Sequence, residues 1–175
     1  MRSSTAPNRA NITFWQYISD HGQVIAGPQL DQSKTDFANA FVFTSRYPAS
    51  MTAAEFVDAL NANTSSSLTQ SERDALVNGL SNGTEARGSV VRKIAENQAF
   101  IDHEYNASFV LVEYFDYLRR DPDQGGYDFW LNQLNRYPLR DLGATRGMVC
   151  SFITSPEYQI RFSSLMTHSN AECQP

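Results

Sequence analysis

The densest run of residues able to do chemistry is Asp121-Pro122-Asp123-Gln124-Gly125-Gly126, with Asp128 just beyond it. An EF-hand calcium loop needs oxygen ligands at positions 1, 3 and 5, glycine at 6 and a bidentate acid at 12. Counted from Asp121, positions 1, 3 and 6 fit, but position 5 is Gly125 and position 12 is Asn132. Two ligands are missing, so Asp121, Asp123 and Asp128 form a weak metal candidate. The stronger reading is structural: Asp123 caps the helix that carries Trp130, and Arg119 or Arg120 pairs with Asp123 or Asp128.

A second set, Glu113, Asp116 and His103, has the residue types for general acid–base work. Glu113 and Asp116 share a face of a regular helix at i, i+3, but carboxylates on such a face are usually solvated. No glycine-rich phosphate loop or nucleophile elbow accompanies them. His21, His103 and His168 have no metal-ligand spacing. These patterns predict no enzyme and no cofactor. The aromatics Phe14, Trp15, Tyr17, Tyr114, Tyr117, Tyr127 and Trp130 could stack on a sugar ring, although helical spacing favours core packing for Phe129, Trp130 and Leu134. Sequons stand at Asn11, Asn63, Asn82 and Asn106.

Cys150 and Cys173 are the only cysteines of the 175 residues. A bridge between them would pin the polar tail from Leu165 to Pro175 onto the preceding helices. It would close a loop worth on the order of 3 kcal/mol in the chain-entropy model. The alternative is a buried Cys150 with an unrelated tail thiol; the otherwise cysteine-free chain favours the bridge.

The elements that must position these residues are helical. Hydrophobic residues make up 41% of the chain, enough for a packed interior. The formal charge of −5 comes without a basic stripe, which argues against nucleic acid as a partner. No apolar stretch is long enough to span a bilayer. Thr52-Ala53-Ala54-Glu55 and Thr69-Gln70-Ser71-Glu72 are capping boxes, each followed by an apolar face. Asn82-Gly83 is a helix stop, and Ser155-Pro156-Glu157 is a start with proline at the first helical position. Tyr105 to Leu118 is apolar around most of its circumference, which predicts the central helix. About eight or nine helices are expected, in an all-α multi-helix bundle.

The spacing also contains a repeat. Phe41 to Tyr47, Ile94 to Phe100 and Phe152 to Tyr158 each place an apolar residue six positions before an aromatic. A shift of 54 aligns Thr69 with Asp123, Asp74 with Asp128, Leu76 with Trp130 and Leu80 with Leu134. The expected organisation is about two and a half units of roughly 55 residues. Residues 1–47 are the C-terminal half of an incomplete unit, 48–104 a degenerate unit and 105–175 the best-formed one with its tethered tail. The start at Met1-Arg2-Ser3-Ser4 lacks the apolar core of a signal peptide, and with the half-unit it suggests a piece of a longer protein. A half-unit would leave an apolar face bare, so Phe14, Trp15, Ile18, Phe37 and Phe41 are the expected interaction surface.

The segment Phe109-Val110-Leu111-Val112-Glu113-Tyr114-Phe115-Asp116-Tyr117-Leu118-Arg119-Arg120-Asp121-Pro122-Asp123-Gln124-Gly125-Gly126-Tyr127-Asp128-Phe129-Trp130-Leu131 resembles the bacterial domain of unknown function 4214. The motif residues are Arg119, Arg120, Asp121, Pro122, Asp123, Gly126 and Trp130, and the ending around Met148 to Tyr158 fits too. The resemblance covers residues 100 to 162. It is degenerate over 48 to 100, where Ser65-Ser66-Ser67-Leu68 replaces the Arg and Pro-Asp words. It implies a short helical bundle similar to phycobilisome linker domains, found in large secreted or surface proteins and, with cysteines, at the C-terminal end of acidobacterial ones. No catalytic activity comes with it. The implied role is non-catalytic protein–protein assembly at the cell surface, with self-association or upstream domains of a parent chain as partners. A glycan-binding adhesion module, calcium-assisted or not, is the alternative.

Overall fold

A computed structural model of the chain describes residues 12–24, 27–42, 47–162 and 170–173. Among the described residues it is all-α, with nine α-helices and no strand. They are α1 (Phe14–Gln23), α2 (Leu30–Val42), α3 (Ala53–Asn63), α4 (Gln70–Asn82), α5 (Arg87–Ala95), α6 (Gln98–Glu113), α7 (Gln124–Leu134), α8 (Leu142–Ile153) and α9 (Pro156–Phe162). A π-helical turn, Tyr114–Leu118, extends α6, and a 3-10 turn, Asn170–Cys173, lies in the tail.

The local signals act through specific bonds. Thr52 Oγ1 accepts from the Glu55 amide at 3.3 Å while the Glu55 carboxylate accepts from the Thr52 amide at 2.8 Å. Thr69 and Glu72 repeat this at 3.3 and 2.7 Å. Each box satisfies two amides that have no partner inside the helix. Gly83 ends α4 in the left-handed conformation at φ 78°, which costs glycine nothing. Ser155 accepts from the Tyr158 amide at 3.1 Å and so caps α9. Asp141, an N-cap absent from the sequence reading, accepts from the Ala144 amide at 2.8 Å to start α8.

The described residues divide into two compact units, one drawn from 18–103 and the other from 104–162 and 170–173 together with 12–17. The division at 103/104 lies one residue from the expected boundary at 104/105, and none falls at 47/48. Helix α2 packs along α5 in the first unit. The close approach occurs at Gly88, where a Cβ would collide with Asn39 of α2.

Each unit has its own core. In the first, Tyr47, Phe56, Val57, Leu60, Leu76, Val90 and Ile94 are buried together. In the second, Val110, Leu111, Tyr114, Phe115, Leu118, Tyr127, Leu134, Met148 and Phe152 are. Part of the core shares a register: adding 54 turns Phe56, Val57, Leu60 and Ile94 into Val110, Leu111, Tyr114 and Met148, all buried. The hydrogen bonds repeat as well. Gln70 donates to Asp74 at 2.9 Å, and Gln124, 54 residues on, donates to Asp128 at 2.9 Å. Sequence and packing therefore agree on one duplicated frame of central helix, second helix and third helix.

Candidate functional site

The same frame has opened a cleft in each unit, at different places. In the first unit, Phe37 and Phe41 of α2, Leu60 of α3, Val91 and Ile94 of α5 and Phe100 of α6 line an apolar cleft of about 610 Å³. Its origin lies in three small residues. Asn63, Thr64 and Ala95 occupy the positions that carry Tyr117, Leu118 and Val149 in the second unit. There Leu118 is buried, and the Tyr117 ring lies 6.4 Å from that of Tyr158. What is core in one unit is space in the other.

The rim of this cleft is ionic. Lys34 bonds Glu96 at 2.9 Å, and Arg92 contacts Glu96 at 3.3 Å and also pairs with Asp31. The Lys34 bond above all holds the Glu96 carboxyl below its ordinary range, and Arg92 adds to this. Asn63 donates to the Tyr47 hydroxyl at 2.9 Å inside the cleft. No nucleophile with an adjacent base lies among these lining residues. The arrangement suits burial of an apolar group against a fixed polar edge.

In the second unit, α7 and α8 separate to leave a cleft of about 510 Å³. Phe129 and Trp130 form one wall, and Gln133, Tyr137 and Asp141 add polar groups. Gly143 and Gly147 keep the α8 wall low, and Leu134 and Met148 lie beneath, nearly or fully buried. The Phe129 and Trp130 rings meet edge to face, with centroids 5.1 Å apart.

Within the acid–base set, Glu113 is 7% exposed, whereas Asp116 and His103 are exposed. This corrects the expectation of a solvated Glu113. The i, i+3 relation to Asp116 is altered because the π turn begins between the two residues and changes the helical phase. Oε2 of Glu113 has no hydrogen-bond partner. Burial, then repulsion from Asp116, pushes its carboxyl up to about 7. Asp116 in turn accepts from the Tyr17 hydroxyl at 3.1 Å.

The calcium candidates have separate duties. Asp121 accepts from the Phe14 amide, Asp123 caps α7 by accepting from the Gly126 amide at 2.8 Å, and Asp128 accepts from Gln124. Among the described residues no three His, Cys, Asp or Glu side chains are grouped to hold a metal ion. Arg120 lies 3.9 Å from Asp123, but its closer partner is Glu157, held by two bonds of 2.7 and 3.0 Å. Arg119 instead ends the π turn at φ 48° with its guanidinium over the Phe162 ring. Gly126 has a packing reason, since a Cβ there would collide with the Tyr114 hydroxyl. Pro122 is half-buried just ahead of the cap.

The five proposed surface residues are divided between the two units. Phe14 packs against Phe115 of the second unit at 6.3 Å between rings, and Trp15 beside it is 76% exposed. Ile18, Phe37 and Phe41 belong to the first unit, and Phe37 and Phe41 line its cleft. Of the aromatic platform, Tyr114 and Tyr127 are core; Trp130 alone lines the second cleft, joined by Phe129 and Tyr137, which the sequence reading left out of the platform. Their signal was the pair Gly143 and Gly147, which removes the side chains that would cover them. Cys150 of α8 is bonded to Cys173, with 5.6 Å between Cα atoms. Asn11, His168 and the rest of residues 163–169 lie outside the described residues.

Residues 94–162 match the family described as "Domain of unknown function (DUF4214)". The matched segment runs from the last turn of α5 through α9 and so contains the whole α7–α8 cleft. No curated protein and no solved structure matches the chain. No helix among the described residues is long and apolar enough to cross a membrane.

Proposed function

We propose that this chain is a non-catalytic helical contact module of a secreted or cell-surface protein, and that it builds assemblies by receiving an apolar protein segment in the first unit's cleft. The observation that carries this reading is the apolar cleft of about 610 Å³ holding Phe37 and Phe41. An apolar concavity with a polar rim is the anatomy of a protein contact site. Trp15, Ile18 and Ile12, at 76%, 48% and 49% exposure, are apolar groups that a neighbouring copy can offer. The Cys150–Cys173 bridge supports an oxidising compartment. A linker-like bundle of the acidobacterial surface type is the finer form of the proposal.

Light scattering across a concentration series, with and without calcium, tests it. A mass that rises with concentration is expected. Replacing Phe37 by Asp, or Trp15 by a charged residue, is expected to hold the chain as a monomer. A monomer at every concentration for the parent chain sinks self-assembly through this cleft.

A further inference from the structure

We propose that the α7–α8 cleft of the second unit is a carbohydrate site that takes a neutral hexose ring of a glycan. This goes beyond the assembly reading and rests on a different part of the molecule.

The two copies of the frame differ between their second and third helices, which are α4 and α5 in the first unit and α7 and α8 in the second. Glu85 lies over Gly79, where an added Cβ would run into its side chain. Lys93 pairs with Glu85, and Ser89 donates to Glu85 at 2.6 Å. A shift of 54 places Gly143 at Ser89, Gly147 at Lys93 and Leu139 at Glu85, so the two side chains that hold Glu85 in the first unit are absent from the second. The same shift replaces Ala75 and Leu76 by Phe129 and Trp130. Side chains that cover were lost from one wall, and aromatic rings were gained on the other.

Those rings are poorly placed for a purely structural role. Phe129 and Tyr137 are each 53% exposed, and nothing lies within 4 Å of where a Gly147 Cβ would stand. Large aromatics left half in water beside a cleft cost hydrophobic free energy that a ligand recovers. The polar groups match hydroxyls better than charge. Asp141 uses Oδ1 to cap α8, which leaves Oδ2 as an acceptor, and Gln133 offers an amide N–H donor. Tyr137 adds a hydroxyl that both donates and accepts. Apolar C–H faces on Phe129 and Trp130, with hydroxyls on Gln133, Tyr137 and Asp141, describe a pyranose. A free carboxylate among these groups disfavours an anionic ligand. The volume of about 510 Å³ lies in the range of about 300–1,000 Å³ usual for small-ligand sites.

The test uses the full chain with Trp15→Phe, so that Trp130 is the sole tryptophan. Cellohexaose, chitohexaose and mannohexaose are titrated while its fluorescence is followed. Saturable binding of at least one hexasaccharide is expected. Phe129→Ala and Tyr137→Ala should weaken it at least tenfold. The deciding variant is Gly147→Lys, which restores the residue of the first unit. It removes a glycine from a helix interior, so the fold should gain rather than lose stability while sugar binding disappears. Binding that survives Gly147→Lys overturns the site. Failure of all three hexasaccharides overturns the proposal, as does a self-association of the chain that Gly147→Lys abolishes, since the occupant is then protein.

Discussion

The two units of this protein share four buried positions and the N-cap position of their second helix, yet each leaves a different part of the frame open. The first unit places a bonded cluster of Glu85, Ser89 and Lys93 between its second and third helices, and carries Asn63, Thr64 and Ala95 around its own cleft. The second fills those positions with Tyr117, Leu118 and Val149 and opens the α7–α8 space instead. A repeated helical frame can therefore open clefts at different places without changing its fold. Packing fixes the central positions, while residues one layer out trade bulk for access.

The largest expected effect tests whether the cores are separate. Phe56→Ala removes a fully buried ring of the first unit and should cost about 3–5 kcal/mol by denaturant unfolding. Hydrogen exchange should then show lost protection in α3 to α5 with α7 and α8 unchanged; equal loss in both would break the comparison. Next comes the staple that only the second unit has. Cys150→Ser, or reduction, should lower stability by about 3 kcal/mol, and the deprotection should be confined to α8 and its neighbours.

Glu113 gives a smaller, pH-dependent difference. Its carboxyl ionises near 4.5 in the unfolded chain and at about 7 in the fold, so the folded state holds the proton more tightly. The associated stability is fully present below about pH 4.5 and is lost as pH rises through about 7. After allowance for solvent screening the loss is about 2 kcal/mol, and Glu113→Gln should remove it. Midpoints in urea at pH 5 and pH 8 measure this directly; an unchanged pH slope in the variant would place the effect elsewhere. The smallest contrast is between the caps. Thr69→Ala and Asp123→Ala occupy the same frame position and should cost about 1 kcal/mol each. A clear inequality would mean that the two second helices differ in more than sequence.

Much of the fold was legible because the signals are local. The capping boxes at Thr52 and Thr69, the Gly83 stop, the Asp123 and Ser155 caps and the apolar faces all act within one turn, so composition and spacing suffice. The Gln70–Asp74 and Gln124–Asp128 bonds show that even the duplicated register was written in the residues. The candidate sites were less legible. Phe37 and Phe41 could be named as apolar and unpartnered, but the cleft they line depends on α3, α5 and α6 converging on them. Phe129 and Tyr137 read as ordinary helical aromatics until α8 supplies glycines opposite.

The sequence by itself determined an all-α chain, its punctuation, its internal repeat and the residues fit to bridge, because each depends on neighbours a few positions away. Only the tertiary structure decided that α2 belongs with α5, that Arg120 turns to Glu157, that Glu113 is buried beside a π turn and that the two units open in different places. Those outcomes depend on which faces meet and how much volume remains between them, and the chain's local periodicity encodes neither quantity.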